Sequence, residues 1–383
     1  MKVLFLAWRE LDHPLAGGSE VLIDHLAGGL VERGHEVALL CGGPVGARPY
    51  RTVDAGGTYS QYLRAPLHYA RHFRGYDLAV DVCNGIPFFA PVWRRGASLC
   101  FVNHVHTAQW DLWFNRSLAA FGRWTERRAV PRVYRDRMFV AVSPSTAGAL
   151  EANGVTPEQI RIVPNGMNPP DGSVPRAREP LFVALGRLVP HKRIDLLLDM
   201  WARVHPVVGG RLVIVGDGPE RARLESAAGP AVHFAGRVSA ADKERLLGAA
   251  WALVHPSLLE GWGLVVMEAA VHGTPTLGFD VPGVRDSVVH GRTGLLASSE
   301  DAFVWNWLAL AADPRRRRTL GHQARTRAAL FSWKATADRF EVVAMEAVEH
   351  HQTGQWSPRI LPAPAPVPVG TVPVAGLPVA GGR

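Results

Sequence analysis

Trp251-Ala252-Leu253-Val254-His255-Pro256-Ser257 runs through Leu258-Leu259-Glu260-Gly261-Trp262-Gly263 into Leu264-Val265-Val266-Met267-Glu268-Ala269-Ala270. The first apolar run reads as a buried strand, the proline and glycines as its exit, and the second apolar run as a helix. Strand, turn and helix in that order form half of a βαβ unit, the building block of a parallel sheet covered by helices. Backbone amides and the helix dipole then meet at the turn and favour an anion such as phosphate. Glu260 and Glu268 bracket the turn, where carboxylates can accept hydrogen bonds from sugar hydroxyls. Either acid alone could be a cap or part of a solvated face. Glu268, however, falls within a largely apolar helix, where an unpaired charge is costly to bury. The ligand implied is a sugar nucleotide.

Outward from this unit, the same alternation of short apolar runs and longer amphipathic segments occurs twice. In the first half, strands are expected near Val3 to Ala7, Val37 to Leu40, Leu78 to Val82, Leu99 to Asn103, Met138 to Val142 and Ile160 to Val163. The Asn165-Gly166 turn closes that half, and the turn-rich Asn168-Pro169-Pro170-Asp171-Gly172-Ser173-Val174-Pro175 is the expected linker. Strands follow at Leu181 to Leu185, Leu212 to Val215, Val232 to Phe234, Ala252 to His255 and Thr276 to Gly278. The pattern predicts an α/β protein with two doubly wound parallel sheets. The domains expected are residues 1–168 and 177–332. A helix capped by Ser332, over about 333–352, is expected to pack back on the first domain. The remainder, 353–383, contains seven prolines from Pro358 to Pro378 and is expected to be disordered.

A chain of 383 residues is long for one hydrophobic core, and two domains imply a cleft between them. Hydrophobic residues make up 47% and charged residues 20%, as in a globular chain. No apolar run is long enough for a spanning helix. The start, Lys2 to Ala7, is too short for the apolar stretch of a signal peptide and reads as a first core strand. Cys41, Cys83 and Cys100 are scattered and odd in number, which argues against a disulfide framework and for the cytoplasm.

The 42 Lys+Arg outnumber the 34 Asp+Glu, giving +8 and favouring anionic partners. One basic cluster holds Arg123, Arg127, Arg128, Arg132, Arg135 and Arg137, interleaved with Leu118, Phe121, Trp124, Val133 and Tyr134. It suits an anionic membrane surface or acceptor as well as it suits a solvated helix face. The other cluster, Arg315 to Arg318 after Asp313-Pro314, reads as a solvated helix start. No nucleic-acid-binding signature accompanies the charge, so nucleic acid is not an expected partner.

Three further clusters could carry chemistry. Gly17-Gly18-Ser19-Glu20 opens an amphipathic helix after the first strand and lets a backbone approach phosphate, although its spacing is not that of a dinucleotide fold. Gly186-Arg187-Leu188-Val189-Pro190-His191-Lys192-Arg193 puts cations at the carboxyl edge of the second sheet. There Arg187 can grip phosphate oxygens with its planar fork and Lys192 adds a compact charge. His104-Val105-His106 ends the Leu99 to Asn103 strand. If the strand continued, Cys100, His104 and His106 would share a face, but without an acidic or second cysteine ligand nearby they match zinc spacing poorly. A histidine on the loop leaving a strand more often contacts substrate.

The order Gly-Gly-x-Glu, strand-end histidine, Pro164-Asn165-Gly166, Gly186-Arg187 with Lys192, Gly216-Asp217-Gly218-Pro219 and the spaced glutamates resembles glycosyltransferase family 4 over about residues 1–350. The resemblance implies a GT-B fold, in which two Rossmann-like domains face each other across a cleft. The first carries the acceptor, the second the nucleotide. Arg187 and Lys192 match residues that hold the donor diphosphate, Glu268 the acid on the ribose hydroxyls, and Glu260 the acid facing the transferred sugar. Gly18 resembles the glycine whose amide nears the diphosphate on closure. Gly261, Gly263 and Leu264 supply the turn and helix-start amides, and Val238 falls near the nucleobase. His106 best matches the active-site histidine, with His104 left open.

The resemblance further implies hexosyl transfer from a UDP- or GDP-sugar to a hydroxyl acceptor with retention at the anomeric carbon, as in glycan or glycoconjugate biosynthesis. No cofactor is expected, and with no Asp-x-Asp motif in the chain, Arg187 and Lys192 would replace a metal-diphosphate clamp. The basic, aromatic segment from Arg116 to Arg137 suggests a lipid-linked or anionic acceptor and peripheral contact with the inner membrane face. Two other readings use the same fold. A nicotinamide-dependent oxidoreductase would need a helix after Cys41-Gly42-Gly43, which Pro44 spoils. A non-catalytic sugar-nucleotide-binding or scaffold protein would keep the fold without turnover, and intact Arg187, Lys192, Glu260 and Glu268 argue against such decay.

Overall fold

A computed structural model describes residues 1–356 apart from Leu15, Thr58 and Ala108. Most of the tail expected to be disordered therefore lies outside the described residues.

The first sheet contains β1 (Lys2–Leu6), β2 (Glu36–Cys41), β3 (Arg51–Asp54), β4 (Leu78–Cys83), β5 (Ala97–Val102), β6 (Met138–Ala141) and β7 (Ile160–Ile162). Their order is β3-β2-β1-β4-β5-β6-β7, parallel throughout. The second sheet contains β8 (Leu181–Leu185), β9 (Arg211–Val215), β10 (Val232–Gly236), β11 (Ala252–His255), β12 (Thr276–Phe279) and β13 (Gly294–Ala297). It is also parallel, in the order β10-β9-β8-β11-β12-β13. Helices on both faces explain the near-continuous burial of β4, β5 and β11.

Strand order reverses between β1 and β4 in the first sheet and between β8 and β11 in the second. Open parallel sheets bind ligands outside the carboxyl ends of their strands at such a switch point. Gly17-Gly18 and Asn84 lie beyond the carboxyl ends of β1 and β4. Gly186-Arg187 and the Glu260 turn lie beyond β8 and β11.

Residues 168–175 form no helix or strand. Arg176 anchors the start of the second half by donating to the carbonyls of Gly248 at 2.8 Å and Ala250 at 2.7 Å. The chain then crosses back: the Trp333–Thr353 helix lies against the Gly18–Glu32 helix and β5. There buried Phe340 packs on Phe5 and Phe101, with ring centroids 5.8 and 5.9 Å apart. Arg161 reaches Glu346 at 3.0 Å and His35 reaches Glu341 at 2.7 Å, fastening the helix at its rim.

The first half departs from the sequence reading at two places. β5 stops at Val102, so His104 and His106 lie in a loop and do not extend the face carrying Cys100. The first sheet also gains β3, a half-exposed edge strand of Arg-Thr-Val-Asp whose polar sequence carries no apolar run. In the basic run, the Pro314–Ala328 helix starts at Asp313 and leaves Arg315, Arg316 and Arg318 exposed. Arg317 instead lies over the Trp251 ring at 3.9 Å.

Candidate active site

A cavity of about 300 Å³ lies between the two domains and is lined from both sides. From the first come Arg9, Gly17 to Glu20, Asn84, Asn103, His104, Gln109, Val142 and Asn165. From the second come Gly186, Arg187, His191, Lys192 and Leu259 to Val265. Six of the ten site residues expected from sequence thus sit on one wall system in the second domain: Arg187, Lys192, Glu260, Gly261, Gly263 and Leu264. Gly18 faces them from the first.

The domains touch where these loops meet. Thr146 Oγ1 donates to Asn103 O at 3.2 Å and to Gly261 O at 3.5 Å. Ser145 N donates to Asp286 at 3.3 Å, and Arg237 reaches Pro14 O at 2.7 Å. Gly263 holds a left-handed conformation (φ +79°) at the cap of the Leu264–Val271 helix, and a β-carbon there would meet Ser287 Oγ at 2.8 Å. Glycine takes up that conformation without strain. The first N–H groups of any helix have no partner inside it, so this start supplies donors at the cavity wall.

Charge converges on the same wall. Glu260 accepts from Lys192 Nζ and contacts His255 Nε2 at 2.9 Å. Burial pushes the Glu260 carboxyl up, but the Lys192 ammonium and the His255 hydrogen bond outweigh it and hold the carboxyl well below the usual range. On the opposite lip, Arg9 Nε donates to Glu20 at 3.0 Å, both side chains being buried, while Glu20 accepts from Gly17 N at 2.8 Å. Burial, and then the facing Arg9 charge, lower the pKa of Arg187. Two guanidinium groups brought together from different domains favour an anion between them.

Two of the nearby imidazoles, those of His191 and His104, are pushed toward the neutral form. Burial, and then the Lys192 charge, push His191 down to about 4. Burial, and then neighbouring His106, hold His104 well below its ordinary value. Asn165 Oδ1 and His191 Nδ1 are buried without a protein partner among the described residues, which leaves them for ligand or water.

Three expected residues lie off the cavity wall. His104 is on it, but His106 is not; its ring packs tilted against that of His104 with centroids 3.9 Å apart, and its backbone N donates to Glu126 at 2.6 Å. Glu268 forms an ion pair with Lys243 at 2.7 Å, which resolves the question of its unpaired charge. Val238 follows β10, the outermost strand, and packs against the core of its own domain. Arg9, His191 and His255 were not singled out from sequence as site residues. Their signal is positional: each follows or ends a strand at the carboxyl edge of its sheet. Among the described residues, no group of three His, Cys, Asp or Glu side chains is placed to hold a metal ion.

Two parallel-sheet domains closed over a cleft, with a cationic loop and a helix start on one side, define a GT-B protein. The family described as Glycosyltransferase Family 4 matches residues 16–170, and Glycosyl transferases group 1 matches residues 171–327. The chain belongs to the family 4 type of glycosyltransferases. D-inositol 3-phosphate glycosyltransferase of Nocardia farcinica is 32% identical over 231 residues, 53% of this chain and 51% of that protein. Its Mycobacterium tuberculosis counterpart is 30% identical over 229 residues, 53% and 47% of the two chains. The chain thus spans about half the length of these curated relatives. Among solved structures, Anabaena HepE in complex with UDP and glucose aligns with a TM-score of 0.74 at 18% identity, covering 90% of this chain and 99% of that one. Sucrose-phosphate synthase from Thermosynechococcus elongatus aligns at 0.75 and 22% identity, covering 89% and 98%. At these identities the likeness is one of fold.

Proposed function

We propose that the chain is a retaining glycosyltransferase that moves a hexosyl group from a nucleoside-diphosphate sugar to a hydroxyl acceptor without a metal ion. The observation that carries this reading is the convergence of Arg187, Lys192 and the Gly263 helix start on a cavity at both topological switch points. UDP and glucose bound to the structurally similar HepE support a UDP-sugar as donor. The similarity to D-inositol 3-phosphate glycosyltransferases supports an anionic acceptor, free or lipid-linked.

In this reaction the bond between the anomeric carbon and the diphosphate oxygen breaks. A new bond forms from the acceptor oxygen on the same face, and the acceptor proton passes to the departing diphosphate. Negative charge grows on the leaving group, so Arg187, Lys192 and the helix-start amides stabilise the transition state more than the bound substrate. Glu260 stays ionised and orients Lys192 while facing the sugar. In this reading neutral His104, which lines the cavity, hydrogen-bonds the sugar or acceptor.

The testing experiment is a thermal-shift panel of UDP, GDP, ADP and dTDP with their common sugars, since a ligand that binds the folded state raises the melting temperature by mass action. One nucleotide standing out, with the shift erased by Arg187→Ala, supports the proposal; a flat panel favours a scaffold role. Transfer abolished by EDTA and restored by magnesium overturns metal independence.

A further inference from the structure

The Arg116–Trp124 helix is packed the wrong way round for a chain surrounded by water. It buries its small residues, Ala119 and Gly122, and turns Leu118, Phe121 and Trp124 outward. Gly122 lies so close under Trp110 that a β-carbon would come within 2.3 Å of Trp110 Cδ2, which fixes that orientation. The preceding turn adds Leu112, Trp113 and Phe114. All six large apolar side chains are between 42% and 56% exposed. Single exposed apolar residues are ordinary, but six within thirteen positions form a patch that requires a covering.

Its flank is cationic. Arg123 is engaged by Asp111 at 2.6 Å, whereas among the described residues Arg116, Arg127, Arg128 and Arg132 are exposed and carry no ion pair. The patch is also continuous with the cleft. Gln109, at its start, lines the cavity, and Trp113 packs edge-on against His191 across the domain boundary, with centroids 5.9 Å apart.

We infer that this ledge seats the protein on an anionic lipid bilayer, with Leu118, Phe121 and Trp124 entering the interface and the free arginines meeting the headgroups. Aromatic and aliphatic side chains beside arginine on one helix face match such an interface in both polarity and charge. No helix among the described residues is long and apolar enough to cross a membrane, so contact would be peripheral. The inference rests on the acceptor-side reading of the first domain: a bilayer at the ledge would present a lipid-linked acceptor at the mouth of the cleft.

The test is sedimentation of the full chain with vesicles of phosphatidylcholine alone and of phosphatidylcholine mixed with phosphatidylglycerol, at low and high salt. Binding is expected only to the anionic vesicles, weakening as salt screens the arginines. Arg127→Gln with Arg128→Gln should lower partitioning by about tenfold or more. Phe121→Ser with Trp124→Ser should abolish it at unchanged melting temperature. A UDP-induced thermal shift, measured in parallel, should persist in both variants; its absence from the parent protein would count against the donor reading without touching the ledge. Equal binding to both vesicle types, or undiminished binding by the Ser variant, overturns the inference. So does a concentration-dependent dimer that the Ser substitutions dissolve, because the patch would then be covered by a second copy.

Discussion

Gly261 of the second domain lies against the backbone of Asn103 in the first, so close that a β-carbon would come within 2.2 Å of the Asn103 carbonyl oxygen. A backbone carbonyl cannot swing aside as a side-chain tip can. Gly261→Ala should therefore prop the cleft open while leaving each domain folded. Misplacing catalytic groups by about 1 Å can cost about a hundredfold in rate. We expect kcat/KM to fall by that order with little change in melting temperature, and parent-like turnover would show that the cleft closes differently.

Glu260 binds Lys192 and His255 together, so removing its charge while keeping its shape tests its part in the reaction. Glu260→Gln frees Lys192 for the diphosphate, and UDP should bind as well as before or more tightly by calorimetry. Turnover should drop by about 10²- to 10³-fold, the scale seen when one preorganised electrostatic contact is lost. A weakened UDP complex with normal turnover would reverse the assignment.

The two histidines separate cleanly by position. His104 is on the cavity wall, whereas His106 packs tilted against it near Glu126. His104→Ala should reduce kcat by at least tenfold with KM for the donor little altered. His106→Ala should act through stability and the shape of the loop, with a smaller effect on kcat. Steady-state kinetics of both variants decides between them, and a larger loss for His106 would restore the order expected from sequence.

Why sequence could not choose between them is clear from β5. Two positions apart, the pair would share one face of a continuing strand, and β5 ends before them at Val102. Beyond it, the loop decides. The buried strands were legible because a parallel strand covered on both faces is a continuous apolar run, as in Leu-Val-Ile-Val of β9. β3 and β13 were not, one being a polar edge and the other four residues after a glycine turn. Arg187, Lys192 and Glu260 were legible because each follows a strand at the carboxyl edge. Arg9 has the same placement, but its role depends on Glu20 eleven residues on, a pairing that only the folded loop creates.

Glu268 forms its ion pair with Lys243 on the neighbouring Ala240–Ala249 helix. A carboxylate already held in place is preorganised to accept from ribose hydroxyls, and it would contribute to binding equally in ground and transition states. Glu268→Ala should then raise the donor KM about tenfold with kcat unchanged, the pattern of lost uniform binding. An equal fall in kcat would place Glu268 with the reacting groups instead.

The neutral imidazoles make stability depend on pH in a definite direction. His191 is 9% exposed, and burial followed by the Lys192 charge lowers its pKa from 6.5 to about 4. Between those values the unfolded chain takes up a proton that the folded chain refuses, so stability is full above 6.5 and is lost as pH falls toward 4. A shift of this size corresponds to roughly 3 kcal/mol for His191, and His104 acts in the same sense. Asp81 opposes them: burial pushes its carboxyl up to about 6, so folding takes up a proton there as pH falls. Urea melts at pH 7, 5.5 and 4.5 on the parent and on His191→Asn isolate one contribution. The variant should show a shallower loss across that window, and parallel curves would mean that His191 is protonated as readily folded as unfolded.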